Sequence, residues 1–85
     1  MAAVTIYTKP FCPYCVRALG LLERKGAEVT EIEAAFDAGK RAEMLQKSGG
    51  AATYPQIFIG GQHVGGCDDL HDLEAQGRLD ALLAG

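Results

Sequence analysis

Two cysteines separated by two residues, Cys12 and Cys15, are the residues of this chain whose type and spacing best fit a chemical role. A Cys-x-x-Cys pair exchanges disulfides, because one thiolate attacks a disulfide sulfur and the second thiol resolves the mixed disulfide. The same spacing also supplies half of a zinc site, but such sites usually need a second pair of Cys or His ligands. Cys67 stands alone, and His63 and His71 do not share a ligand spacing with it. We therefore favour a redox pair and expect no metal.

The pair lies between a strand-like run and a helical pattern, which separates the roles of the two thiols. From Cys15 to Leu22 the apolar residues follow the i, i+3, i+4, i+7 spacing of a buried helical stripe. Cys12 comes just before this helix, where unpaired backbone N–H groups and the helix dipole favour a thiolate. We therefore expect Cys12 to face solvent as the attacking thiol and Cys15 to be shielded.

Composition limits the classes of protein to which the chain can belong. Its 85 residues predict a single domain over residues 1–85, and 48% hydrophobic residues are typical of a globular protein. A net charge of −3 without a basic run makes nucleic acid an unexpected partner, and no apolar run is long enough to span a membrane. Three cysteines, an odd number, argue against a secreted disulfide framework, so we expect a reducing, cytoplasmic location.

The remaining patterns predict the elements that position the pair. Strands are expected at 4–8, 28–33, 56–59 and 62–64, and helices at 13–25, 38–47 and after Asp68 or Asp69, with a last apolar turn at 79–83. A strand–helix–strand crossover makes the first two strands parallel, and the Gly60-Gly61 turn makes the last two antiparallel. The order predicts an α/β fold in which a four-stranded mixed sheet carries helices on both faces. Open α/β sheets place their sites at the carboxyl ends of strands, which is where the cysteines lie.

Four segments together resemble the dithiol glutaredoxins, and they extend over nearly the whole chain: Tyr7 to Lys9, Cys12-Pro13-Tyr14-Cys15, Tyr54 to Ile59, and Gly65 to Leu70. The resemblance implies a thioredoxin fold and a monomer that uses glutathione as its reductant. It also implies that the substrates are protein disulfides and protein–glutathione mixed disulfides, with ribonucleotide reductase and sulfur-assimilation reductases as candidates.

Carried over by position, the resemblance implies that Cys12 is the nucleophile and Cys15 the resolving thiol. It further implies a set of glutathione-binding residues, with the proline in cis: Lys9, Tyr14, Arg41, Thr53, Tyr54, Pro55, Gly66, Cys67, Asp68 and Asp69.

Charge supports this set, because glutathione carries two carboxylates and one ammonium group. Lys9 and Arg41 can bind a carboxylate, and backbone N–H groups after Gly66 can bind the other. Asp68 or Asp69 can bind the ammonium group. Purely structural alternatives stay open: the two aspartates can be helix caps, Arg41 and Lys9 solvated side chains, Tyr14 a packing residue and Cys67 a small buried residue.

The chain departs from the family pattern at two places near the expected glutathione groove. Tyr54 replaces the usual valine before the proline, and the Gly49 to Ala52 loop is longer than usual and lacks an arginine often found there. Both changes affect the expected affinity for glutathione rather than the thiol chemistry.

Two alternative functions remain open at this point. A small redoxin recharged by thioredoxin reductase would need no glutathione groove, and rapid reduction by glutathione and glutathione reductase would argue against it. An iron–sulfur cluster held between two subunits with glutathione as co-ligand is known in some family members. Pro13 argues against the cluster, because the family members that bind one usually carry a smaller residue at this position. An absorbance spectrum of anaerobically purified protein tests whether a cluster is bound.

Overall fold

The computed structural model describes residues 2–85, in which four strands and four helices follow one another along the chain. Their bounds are β1 Ala3–Thr8, α1 Pro13–Arg24, β2 Glu28–Glu33, α2 Ala38–Lys47, β3 Gln56–Ile59, β4 Gln62–Gly65, α3 Cys67–Ala75 and α4 Leu79–Ala84. The predicted elements are confirmed, with bounds that differ by a residue or two at several ends. None of the helices in the described part of the chain is long and apolar enough to cross a membrane.

The strands form one mixed sheet in the order β2-β1-β3-β4. β1 pairs parallel with β2 and antiparallel with β3, and β3 pairs antiparallel with β4 across the Gly60-Gly61 turn. The four-stranded mixed sheet predicted from the sequence is therefore confirmed. β2 lies at one edge of this sheet and carries three exposed glutamates, Glu28, Glu31 and Glu33.

The sheet is covered by helices on both faces, because the strands bury side chains on alternate sides. On one face, β1 and β3 pack aliphatic residues such as Ile6 and Ile57 against α1, α3 and α4, which contribute Leu22, Leu70 and Leu79. Each of these five side chains is fully buried. Truncating a buried leucine to alanine typically costs about 2–5 kcal/mol, so this cluster is a main source of stability.

The opposite face has a smaller cluster under α2. Tyr7 and Phe58 meet there edge to face with ring centroids 5.7 Å apart, and Met44 of α2 packs on them. The buried Tyr7 hydroxyl donates a 2.5 Å hydrogen bond to Glu43 Oε2, which fixes α2 on the sheet. Burial first, and then the hydrogen bond with Glu43, raise the pKa of Tyr7 to about 12.

The carboxyl end of α1 is tied to both C-terminal helices through one lysine. Lys25 follows the last residue of α1, and its Nζ lies 2.8 Å from Glu74 of α3 and 2.9 Å from Asp80 of α4. These contacts, Glu74 first, raise the pKa of Lys25. The pairing holds three helices in register on one face of the sheet.

The start of α3 corrects one prediction. The helix begins at Cys67 with Gly66 at the N-cap position, so neither Asp68 nor Asp69 is the cap. Asp69 lies in the first turn instead, and its Oδ2 accepts a 2.9 Å hydrogen bond from the Gly66 N–H. Acidic residues are favoured both at the cap and inside the first turn, which is why sequence alone misplaced the start. Gly65 has φ +121°, and a Cβ there would collide with the Asp69 carboxylate.

Candidate active site

Cys12 occupies the N-cap position of α1, directly after β1 and the turn that follows it. Its Sγ accepts a hydrogen bond from the Cys15 N–H at 3.2 Å, which satisfies one of the unpaired donors at the helix start. Pro13 occupies the next position, where its missing N–H removes no helical hydrogen bond. The first turn carries no acidic residue, so nothing in it offsets the positive end of the helix dipole.

The prediction that Cys12 faces solvent is wrong, since only 3% of the residue is exposed. The sulfur turns inward to cap the helix, and it also lies 4.0 Å from the Tyr54 carbonyl oxygen of a distant loop. The residues beside it are the exposed ones: Phe11, with φ +56°, is 102% exposed and Tyr14 is 55% exposed. The Cys12 thiol thus lies at the base of a rim formed by these two exposed aromatic side chains.

Cys15 is also 3% exposed, but its surroundings favour the protonated thiol. Burial first, and then the hydrogen bond with Cys12, raise the pKa of Cys15 to about 12, while a backbone hydrogen bond with Lys9 lowers it. Two equally buried thiols therefore differ in their contacts. One accepts from a helix N–H, and the other belongs to the buried stripe of α1, as predicted.

A cavity of about 380 Å³ opens next to the start of α1, lined by Tyr14 and by Tyr54, whose carbonyl oxygen lies 4.0 Å from the Cys12 sulfur. It is bounded by the residues before β3, by β4 and by the first turn of α3: Tyr14, Ala51, Thr53, Tyr54, Pro55, Gln56, His63, Gly65, Gly66, Cys67, Asp68 and Asp69. Eight of the ten residues carried over as glutathione contacts are in this set. Residues far apart in sequence thus converge on one cavity.

The segment from Thr53 to Pro55 forms the wall nearest Cys12. The Tyr54–Pro55 bond is cis, as the resemblance implies, and the Tyr54 carbonyl points toward Cys12 Sγ. The Tyr54 side chain packs beside the smaller core cluster, and its buried hydroxyl has no hydrogen-bond partner among the described residues. The departure from valine therefore fills space next to the core.

Lys9 and Arg41 lie outside this cavity. Lys9 is exposed and borders a second cavity of about 510 Å³, on the side of the helix start where Cys12, Cys15, Glu31 and Glu33 also lie. Arg41 is exposed on α2 and borders a third cavity, with Phe36 and Leu45. Lys9 thus borders the same cavity as Cys12 and Cys15. Arg41 borders a cavity that neither cysteine lines.

Cys67 is 3% exposed and belongs to the larger core cluster, as predicted for a small buried residue. Burial raises the pKa of its thiol, Arg17 lowers it, and Asp68 raises it further. His71 Nδ1 lies 3.5 Å from the Cys67 sulfur but only 2.9 Å from the Cys67 carbonyl oxygen. A carbonyl only accepts, so Nδ1 carries a proton and cannot serve as the base for this thiol.

A chain of polar side chains behind the cavity wall was not predicted from the sequence. Gln56 is 3% exposed, and its Nε2 donates to the Thr53 carbonyl oxygen at 2.9 Å and to Thr53 Oγ1 at 3.1 Å. Its Oε1 lies 2.7 Å from Nε2 of the exposed His63. The hairpin contains the signal, because its two-residue turn places His63 opposite Phe58 and diagonal to Gln56.

Among residues 2–85, no group of three or more His, Cys, Asp and Glu side chains is arranged to hold a metal ion. All three cysteines are free thiols. The arrangement therefore comprises a thiol at a helix start, a second thiol behind it, and a cavity next to the helix start that is lined by both polar and apolar residues.

Comparison with known proteins identifies the same architecture. The glutaredoxin family model matches residues 4–64. The glutaredoxin of Pseudomonas aeruginosa is 55% identical over 84 residues, which cover 99% of this chain and 99% of that protein. Glutaredoxin 3 of Escherichia coli is 55% identical over 83 residues, covering 98% and 99%. A buckwheat glutaredoxin solved as a glutathione complex superposes with a TM-score of 0.85 at 34% identity, covering 98% of this chain and 77% of the other. The thioredoxin fold expected from the sequence is thereby confirmed.

Proposed function

This chain belongs to the glutaredoxin family and is a glutaredoxin-type thiol–disulfide oxidoreductase, and we propose that it reduces protein disulfides and protein–glutathione mixed disulfides with glutathione as the electron donor. The observation that carries the proposal is the position of Cys12. Its sulfur caps α1 and lies 4.0 Å from the Tyr54 carbonyl, at the edge of the cavity with the predicted glutathione contacts.

In the first step the Cys12 thiolate attacks one sulfur of the substrate disulfide. A new S–S bond forms, the old one breaks, and the departing thiolate takes up a proton. The hydrogen bond from the Cys15 N–H stabilises the attacking thiolate before the reaction. No metal or second cofactor is required for this exchange.

The second step depends on the substrate. With a glutathionylated protein, Cys12 holds the glutathione, and a second glutathione attacks its sulfur to release oxidised glutathione. With a protein disulfide, Cys15 attacks the Cys12 sulfur and its proton passes to the departing protein thiolate, which frees the reduced protein and leaves a Cys12–Cys15 disulfide. Two glutathione molecules then reduce this disulfide and leave as oxidised glutathione. Once Cys12 is in a mixed disulfide its negative charge is gone, which removes one cause of the raised pKa of Cys15.

The cavity beside Cys12 offers matching chemistry for glutathione. The unpaired N–H groups at the start of α3 suit a carboxylate, and the exposed Asp68 suits the ammonium group. Backbone groups of Thr53 to Pro55 are placed to pair with the cysteinyl unit. Lys9 can meet a carboxylate from the second cavity, and the buckwheat relative was solved with glutathione bound.

The test compares two reductants. Reduced wild-type protein should turn over a glutathionylated small thiol rapidly with glutathione and glutathione reductase, and slowly with thioredoxin reductase alone. The opposite preference would contradict the proposal and favour a redoxin recharged by thioredoxin reductase. As the resemblance implies, we propose that the protein acts as a monomer, and its odd number of cysteines favours a reducing, cytoplasmic location.

A further inference from the structure

We propose that His63 is a positioning residue for the thiol-transfer site, because it fixes the Thr53 backbone through the buried side chain of Gln56. This inference rests on the proposed contact between glutathione and Thr53 to Pro55. His63 lies on β4 and borders the cavity beside Cys12, yet it touches neither of the two catalytic sulfurs. Its effect is therefore indirect and passes through Gln56.

Hydrogen-bond chemistry fixes the direction of the chain. The Thr53 carbonyl oxygen can only accept, so the Gln56 atom 2.9 Å from it must be the amide nitrogen. The Gln56 oxygen then faces His63 and must accept, so Nε2 of His63 carries the proton across the 2.7 Å contact. His63 is thus the donor in this contact and the Gln56 oxygen is the acceptor.

The burial of Gln56 explains why these hydrogen bonds hold the Thr53 backbone in place. The Gln56 side chain is 3% exposed, so its amide has little access to water and relies on these partners. Without His63 its oxygen would lose that partner and the amide could rotate away from Thr53. The ring of His63 is itself held by Phe58, with centroids 4.9 Å apart at an interplanar angle of 34°. The hydrogen bonds from His63 through Gln56 to Thr53, called the relay below, therefore connect β4 and β3 to a loop that has no regular structure.

The consequence reaches the cavity through both Thr53 oxygens. Gln56 donates to the Thr53 hydroxyl oxygen at 3.1 Å as well as to its carbonyl. The hydroxyl proton is then directed away from Gln56 and remains available to an acceptor in the cavity. Loss of the relay should loosen the wall that orients the glutathione moiety while leaving Cys12 and Cys15 in place.

The kinetic test uses two substitutions of this exposed residue. His63→Leu removes the donor but keeps an apolar side chain on Phe58, whereas His63→Gln supplies an uncharged N–H donor at a similar reach. We expect His63→Leu to raise the KM for a glutathione mixed disulfide about three- to tenfold, the typical effect of one hydrogen bond, with kcat changed less than twofold. His63→Gln should restore KM to within about twofold of wild type. An unchanged KM in His63→Leu, or an equal rise in both variants, would overturn the relay.

A second measurement keeps the inference separate from the proposed function. By ¹⁵N NMR at alkaline pH, neutral His63 should carry its proton on Nε2. By ¹³C NMR, His63→Leu should shift the Thr53 carbonyl resonance more than His63→Gln does. A proton on Nδ1, or an unmoved Thr53 signal, would refute the relay even if the enzyme is active. If wild type shows no glutathione-dependent turnover, the proposed function fails, and these NMR signals still decide whether the relay exists.

Discussion

Two helices begin next to each other at this site, and each has a buried cysteine at its start. Cys12 caps α1 and Cys67 is the first residue of α3, and both are 3% exposed. The α1 start has no acidic residue in its first turn, while the α3 start has Asp68 and Asp69. The Cys12 sulfur accepts a hydrogen bond from a helix N–H, but burial and Asp68 raise the pKa of Cys67.

The difference shows that a helix start does not by itself make a reactive thiol. The sulfur must lie where the free N–H groups point, and the first turn must not supply its own negative charge. At α3 the Asp69 carboxylate satisfies the Gly66 N–H, and the Cys67 sulfur lies in the core, where burial raises the pKa of its thiol. In the proposed mechanism the two helix starts therefore have different roles: α1 provides the nucleophile, and α3 provides one wall of the cavity.

The largest expected effect is at the α1 start. Cys12→Ser should abolish thiol transfer to all substrates, because the remaining thiols have pKa values raised by burial and neither caps a helix. Steady-state assays with a glutathionylated thiol and a protein disulfide measure this. Residual turnover above a few per cent would contradict the comparison and point to Cys67 as a second nucleophile.

The next effect separates the two thiols of α1. Cys15→Ser should keep reduction of glutathione mixed disulfides, which needs only Cys12 and free glutathione. It should lose reduction of protein disulfides, because nothing in the protein can then release the mixed disulfide. Assaying both activities on one preparation provides the internal control, and an equal loss of the two would refute these roles.

Stability should also respond to pH through the buried thiol of α1. The pKa of Cys15 is about 12 in the folded protein against an ordinary value of 9.0, so the unfolded chain loses this proton first. Its contribution is complete below pH 9.0 and decreases as the pH rises toward about 12. Urea unfolding of reduced protein should therefore show a steeper loss above pH 9 in wild type than in Cys15→Ser. Parallel curves would mean that Cys15 does not titrate as its surroundings imply.

Arg41 tests whether carboxylate recognition extends beyond the two helix starts. Because Arg41 is exposed and borders a different cavity, we expect Arg41→Ala to raise the KM for a glutathione mixed disulfide by about twofold or less at low salt. The change should disappear at high salt, since exposed charges are screened. A larger rise in KM that persists at high salt would indicate that Arg41 does bind glutathione.

The smallest effect should come from the α3 thiol. Cys67→Ser should leave both activities within about twofold of wild type, because this sulfur is a buried core group rather than a nucleophile. Cys67→Ala is the matched control, since it removes the sulfur without adding a hydroxyl. Loss of activity in both variants, with unchanged thermal unfolding, would contradict the division between the two helix starts.

The features that depend on local sequence patterns could be predicted from the sequence. The strands, the Gly60-Gly61 hairpin and the position of the cysteines at the end of β1 follow from alternation, turn residues and helical spacing. Features that depend on contacts between distant parts of the chain could not be predicted in this way. Cys12 is buried partly because its sulfur turns toward Tyr54, which is 42 residues away. The contact of Arg41 with glutathione stays a prediction, and its position outside the cavity depends on how α2 packs on the sheet.

The acidic edge strand has a consequence for behaviour in concentrated solution. An unpaired edge offers free backbone N–H and C=O groups to a strand from another molecule, which is a common route to aggregation. β2 is such an edge, and its exposed Glu28, Glu31 and Glu33 would face the same three carboxylates if two copies added edge to edge. Like charges in that arrangement repel, so β2 is protected from open-ended strand addition by its own side chains.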